Sequence, residues 1–455
     1  MSGQFDAMIG NAILGIDTLW GGDVLCASGT GRFIADSWFS DEPLPEAYTH
    51  PSAARVRETG GVSAKTPDRV AIGAYLDSVN ILAAIRGVAR EASIIGGARG
   101  EYLAGLALCF ETMWDLAMEI LDRGPAVPYE RCVLASTGHA PEPSDPASKR
   151  ERVAELLARV GFPSSNTEEL LAAVDGWRSA LVVPMAAVKT LGAVAIGYFD
   201  ALSAKHVVPH LPVELATVPR ANIQFLPIRD AWFSGSMNYL GRARRTDGSP
   251  EYEATYEINA SLAISVPEFL QLVSHEVVPG HVTTFAYLQN LYHRRAVGFE
   301  ASVLTMNTRA AALFEGIANN AILMAHGVTE VSDLADEDLQ IGVLLALLQD
   351  DAKNQASYLT WGERMPQPEV AHILRDDFLV SLERADKLSG AWGRHPLLGR
   401  MYLPAYRAGT RKVAELRRRY SSAELLPVLY GCAGLVDLTT LEGVLEARRG
   451  ANSAS

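Results

Sequence analysis

At 455 residues, 48% of them hydrophobic and 20% charged, the chain is long and apolar enough to bury one large core or two modest ones, as soluble globular proteins do. A net charge of −13 excludes a general binder of nucleic acid or of anionic membranes, since both need a basic surface to displace counterions. The four cysteines, Cys26, Cys109, Cys132 and Cys432, have no Cys-x-x-Cys spacing, which argues against a disulfide framework or a cysteine metal site and suits a reducing compartment.

The segment Met1-Ser2-Gly3-Gln4-Phe5-Asp6 has no basic n-region and no apolar h-region. No stretch reads as the roughly 20 apolar residues of a membrane span. A cytoplasmic protein without a membrane partner is therefore expected. Residues 1–65 mix Gly, Pro and aromatic residues without sustained periodicity, and short helices and loops are expected there. Gly29-Thr30-Gly31 is not a phosphate loop: no Lys-Ser/Thr follows, Ile34 stands where a third glycine belongs, and no strand precedes it.

From Asp68 to Arg123, Ile72, Tyr75, Leu76, Val79 and Leu82 form one apolar stripe, and Leu103, Leu106, Phe110, Trp114 and Met118 another. Two long core helices are expected. Pro141-Glu142-Pro143-Ser144-Asp145-Pro146 reads as a surface loop and hinge, followed by helices from Ser148 and from Asn166. Ala180 to Ala204 reads as a largely buried helix despite Pro184. His206 and His210 have metal-ligand spacing, but Pro209 and Pro212 oppose a continuous helix there. Residues 216–262 turn to strand-like alternation, with a hairpin-like turn at Thr246-Asp247-Gly248-Ser249. Ser265-Val266-Pro267-Glu268 is a capping box that opens a helix. Further helices are expected over Thr308–His326 with Gly327 as its stop, and over Leu339–Tyr358, Pro368–Leu388, Ala405–Tyr420 and Leu438–Arg449.

The helix opened at Ser265 carries Ser274-His275-Glu276-Val277-Val278-Pro279-Gly280-His281. In His-Glu-x-x-His the histidines sit four apart, about 40° in azimuth, and reach one ion. Here Pro279-Gly280 adds two residues, and an unbroken helix would set the histidines about 120° apart. Pro279 forbids the helical hydrogen bond and Gly280 permits unusual dihedrals, so a kink there can bring His281 round to His275. The competing reading is an ordinary helix end, with histidine facing the terminal carbonyls.

His275-Glu276 with Pro279-Gly280-His281, Glu315-Gly316 downstream, Tyr256-Glu257-Ile258-Asn259 upstream and Ala405-Tyr406-Arg407-Ala408-Gly409 further on together resemble the DUF885 family of zincin-like metallopeptidases. The resemblance covers residues 220–420, and the first motif is its specific part. It implies a mainly α fold: a large helical zincin-like domain with a small β-element before the motif helix and a cleft containing the site. Residues 1–215 would form a helical region covering the cleft and 216–455 the motif-bearing region, in one compact unit. His275, His281 and Glu315 would bind one zinc ion, with Glu300 the alternative to Glu315. Glu276 would be the general base. Tyr406 would be an oxyanion donor or a packed tyrosine. Arg407, Arg411 and Arg309 would bind substrate, and Arg309 is also the basic partner that Glu315 would otherwise need in its apolar helix.

The chain departs from the family at Val282 and Thr284, where a second histidine and a glutamine are usual, and at Ile317-Ala318-Asn319-Asn320, which loses aromatic residues. The expected activity is hydrolysis of a peptide or amide bond on a peptide or small-molecule substrate. The alternatives are a diverged small-molecule tailoring enzyme working by acid–base chemistry, and a non-catalytic helical binding protein.

Overall fold

Side-chain caps fix where many of the helices begin. The computed structural model describes residues 2–26, 35–36, 38–60, 67–228, 235–259 and 264–453, so Gly29-Thr30-Gly31 lies outside the described residues. The fold is mainly α, as expected. Helix α1 (Ser2–Trp20) is the largest departure from the sequence reading, which expected short pieces there. Ile9, Ile13, Ile16 and Leu19 are fully buried. Gly10 and Gly15 lie where other elements press close: a Cβ at Gly15 would meet Ile81 at 2.7 Å.

The expected pair of helices between 68 and 123 is three: α2 (Arg69–Ser78), α3 (Ile81–Ile95) and α4 (Gly97–Ile120). Asp68 caps α2 by accepting from the Val70 and Ala71 amides, and Asn80 caps α3 by accepting from Ala83. A new cap inside an unbroken apolar stripe bends the path by 48° between α2 and α3. The stripe residues Ile72, Tyr75, Leu103 and Phe110 are core residues, as expected.

Helices α5 (Tyr129–Thr137), α6 (Ala147–Arg159) and α7 (Thr167–Ala180) follow. The proline-rich loop between α5 and α6 is pinned: the Ser144 amide donates to Gln355 at 2.8 Å and its hydroxyl to the Asp351 carbonyl at 2.9 Å. After α7, Val182 bridges to Ser265 and the chain re-enters helix as α8 (Val188–His206). Where a buried helix was expected, α8 buries only a narrow stripe, Val188, Gly192, Ala195, Phe199 and Ser203. Val194 is 62% and Tyr198 47% exposed. The segment Met185–His210 is, by length and composition, apolar enough to cross a membrane.

The small sheet has the order β1 (Ile223–Ile228), β3 (Ala254–Asn259), β2 (Gly235–Tyr239). β1 runs parallel to β3 with Ile223 opposite Ala254, and β2 antiparallel with Tyr239 opposite Ala254. The turn at Asp247-Gly248 forms as expected, with Gly248 at φ +83° and Asp247 accepting from the Ser249 amide at 2.9 Å.

The capping box at Ser265 opens α9 (Val266–Glu276), and α10 (His281–His293) follows it. Thr308 caps α11 (Arg309–His326), which Gly327 ends at φ +67°. Then come α12 (Glu337–Ser357), α13 (Gln367–Phe378), α14 (Leu382–Ser389), α15 (Leu403–Arg419), α16 (Ser422–Leu429) and α17 (Leu441–Ser453). The single helix expected over Pro368–Leu388 is broken at Leu379, buried with φ +57°, after which Ser381 caps α14. One apolar cluster runs from Ile9 to Leu445. Helices α11 and α15 touch backbone to backbone at Gly316 and Gly409: a Cβ on either would fall inside the shell of a facing carbonyl oxygen.

Candidate metal centre

The centre begins with the break in the motif helix. α9 stops at Glu276, Val277 leaves helical geometry at φ −111°, ψ −81°, the Val278–Pro279 peptide is cis, and α10 starts at His281. Gly280 lies so close under the end of α9 that a Cβ there would collide with the His275 carbonyl oxygen, which explains the glycine. The break brings the two imidazoles together, edge to face at 89° with centroids 4.8 Å apart.

α11 supplies the third group. Glu315 Oε2 is 3.5 Å from His275 Nε2 and 3.8 Å from His281 Nε2. Among the described residues these three form the one cluster of His, Cys, Asp or Glu side chains with metal-ligand geometry, with donor atoms within 4.8 Å of one another. Ligands of a tetrahedral zinc site at about 2.0–2.1 Å lie about 3.3 Å apart. Both Glu315 contacts are longer than an ordinary hydrogen bond. Its Oε1 accepts from the Tyr402 hydroxyl at 2.6 Å, whereas Oε2 is buried without a hydrogen-bond partner. An orphaned carboxylate oxygen facing two imidazole nitrogens fits a divalent cation.

The charges agree. Burial, with His281 adding, pulls the His275 pKa down to about 3, against the pull of Glu315. Burial alone would raise the Glu315 pKa, but His281, His275 and Lys353 outweigh it and hold the carboxyl below the usual range. A neutral imidazole and an ionised carboxylate are the forms in which these side chains ligate metal.

Around these three side chains lies a polar shell that the sequence reading did not assign. His275 Nδ1 is 2.8 Å from Asn319 Oδ1, and Asn319 Nδ2 donates to Asp350 at 2.6 Å and to Thr410 at 2.9 Å. Lys353 donates to Asp350 at 3.0 Å, and its ammonium lies 3.2 Å from the centre of the Tyr406 ring. Burial pushes the Asp350 carboxyl up and the Lys353 ammonium down, while the charge of each partner opposes the other's shift. Two opposite charges three apart in the apolar helix α12 were the available signal. Tyr402 was hidden by the π-helical turn Leu398–Tyr402 before α15, which no periodicity announces.

The remaining expected residues divide. Glu276 is half-buried at the last position of α9, and its charge reaches Tyr256 of β3, whose phenol burial has already pushed up. Tyr406 packs edge to face on Tyr402, ring centroids 4.9 Å apart, and the Tyr402 hydroxyl is the one that donates to Glu315. Arg407 bridges Asp351 at 3.2 Å and Glu142 at 2.6 Å, and Arg411 also pairs with Glu142. Arg309 lies elsewhere: two turns before Glu315, it donates to the Ala135 and Leu134 carbonyls at the end of α5. Glu300, the alternative ligand, is instead held by Arg99 through two bonds of 2.7 and 2.9 Å. His206 packs against Gly327 and joins no such cluster among the described residues. Val282 and Thr284 are core positions, 0% and 2% exposed, so the departures there alter packing.

No family model and no curated protein matches the chain. Solved structures do. A candidate lipoprotein from Colwellia psychrerythraea superposes with a TM-score of 0.50 at 15% identity, over 80% of this chain and 66% of the other. A candidate lipoprotein of unknown function from Shewanella oneidensis gives 0.49 at 13% identity, over 90% of this chain and 79% of the other. This chain thus spans just under two thirds of the Colwellia protein's length. At such identities the first likeness is one of fold alone.

Proposed function

We propose that the protein is a zinc-dependent hydrolase of a peptide or amide bond, built as a diverged relative of the DUF885 metallopeptidases. The observation that carries this reading is the Glu315 carboxylate, buried with Oε2 unpartnered and turned toward both histidine Nε2 atoms. Bound there, zinc supplies a Lewis acid and brings the pKa of a water toward neutrality. Glu276, adjacent to His275, takes the water's proton on its carboxylate and returns it to the leaving nitrogen. Tyr402 holds Glu315 Oε1 and so directs Oε2 inward. Tyr406, beside Tyr402 and under the Lys353 ammonium, is the proposed donor to the developing oxyanion. Arg411, whose side chain is 59% exposed, is available to a substrate carboxylate that displaces Glu142.

The test is elemental analysis of the untagged protein after zinc addition and removal of the excess. One zinc per chain is expected in the wild type and none in a His275→Ala, Glu315→Gln double variant. A wild type without zinc would sink the reading.

The proposed compartment is the cytoplasm, which four free cysteines suit. The neighbours' description as lipoproteins points instead toward a membrane surface. Cell fractionation with an antibody to the protein separates the two.

A further inference from the structure

Resting on the metal reading above, we propose that Asn319 is the positioning residue of the centre: it fixes His275 as the Nδ1–H tautomer and turns its Nε2 lone pair toward the point shared with His281 and Glu315. Asp350, 4% exposed on α12, receives the Lys353 ammonium on Oδ1 at 3.0 Å and the Thr410 hydroxyl on Oδ2 at 3.1 Å. Paired with the Lys353 ammonium, Asp350 stands as a carboxylate, which only accepts hydrogen bonds. The Asn319 atom 2.6 Å from Asp350 Oδ2 is therefore its NH₂ group, which also donates to Thr410 at 2.9 Å. That choice settles the other end of the amide. The atom 2.8 Å from His275 Nδ1 is the carbonyl oxygen, an obligate acceptor, so the imidazole proton sits on Nδ1 and Nε2 carries the lone pair.

The chain of bonds crosses four helices, α9, α11, α12 and α15, and each member is buried or half-buried. Asn319 itself is 7% exposed and follows Ile317 and Ala318, both fully buried apolar residues. A leucine would fill much the same space there, so the amide is needed for its hydrogen bonds. A histidine ligand held through its second nitrogen has its ring plane and basicity set before the ion arrives.

Two measurements decide it. Asn319→Leu keeps the volume and removes the acceptor. Competition against a chromophoric chelator is expected to show zinc binding about 10–100-fold weaker than wild type. The melting of the metal-free forms, followed in parallel, checks that the variant is folded. Wild-type zinc affinity in a folded Asn319→Leu protein overturns the proposal. Should the variant not fold, the ring ¹⁵N–¹H multiple-bond spectrum of histidine-labelled, metal-free wild type answers directly, with the His275 signals assigned by difference from His275→Gln. An Nδ1–H pattern is expected, and an Nε2–H pattern overturns the proposal. A wild type that binds no zinc overturns the metal reading itself, a result separate from both of these.

Discussion

The Tyr402 hydroxyl donates to Glu315 Oε1 at 2.6 Å, joining the π-helical turn before α15 to the carboxylate on α11 that faces both histidines. Replacing Tyr402 with Phe removes the donor and little volume, freeing the Glu315 carboxylate to rotate. Zinc affinity is expected to fall by about tenfold or more, with a loss of about 1–2 kcal/mol in stability from the stranded buried oxygen. Chelator competition and denaturant titration read the two effects separately. An unchanged zinc affinity would show that Tyr402 does not orient Glu315.

Glu276 is the one acidic member of the motif that is not placed as a ligand. Glu276→Gln is expected to retain one zinc per chain and to lose about 10²–10⁴ in turnover on whatever amide substrate a peptide and acyl-amine panel reveals. A Gln variant as active as wild type would remove Glu276 from the chemistry.

Saturating zinc at 100 times its dissociation constant is expected to add about 2.7 kcal/mol to unfolding, and excess chelator to remove it. His281→Ala, which deletes a proposed ligand, is expected to melt at the same temperature with and without zinc. A zinc-dependent melt surviving in that variant would place the ion elsewhere.

Gly409 lies against α11 at Ala312 and Gly316 without room for a methyl group, the obstruction being backbone. Gly409→Ala must separate α11 from α15, at a cost of about 3 kcal/mol or more. The same separation moves Thr410 away from Asn319. A thermal melt should drop by several degrees, and an unchanged melt would contradict this backbone contact.

His395 gives a pH dependence independent of the centre. It is 7% exposed, and its Nδ1 accepts from the Leu397 and Leu398 amides, both at 3.1 Å. Burial pulls its pKa down to about 4, with Asp23 opposing and Arg400 assisting. The folded value lies below the unfolded one, so between the two the unfolded chain binds the extra proton and stability rises with pH. The neutral ring's contribution is thus intact above about pH 6.5 and is lost as the pH falls toward 4, a change on the order of 3 kcal/mol. In chelator-treated protein, the stability gap between wild type and His395→Asn should narrow by that order from pH 7 to pH 4. A constant gap would contradict it.

The break at Pro279-Gly280, the capping box at Ser265, the stop at Gly327 and the strand-like run before the motif were all legible in the sequence. Each is a local matter, of dihedral freedom or of a side chain reaching an amide two or three residues on. The sequence also determined which residue types could ligate a metal, His275, His281 and a downstream glutamate.

Only the tertiary structure brings Glu315, and not Glu300, beside the two histidines. Glu315 and Glu300 are equivalent as letters, but Arg99, two hundred residues away, holds Glu300 in two hydrogen bonds, and the glycine contact of α11 with α15 sets Glu315 between Tyr402 and the histidines. The same long-range packing assigned Arg309 to the end of α5, left one face of α8 exposed, buried α1, and surrounded His275 with Asn319, Asp350 and Thr410. No periodicity within one helix specifies which other helix will cross it, because that choice rests on shape and on polar partners brought together from distant parts of the chain.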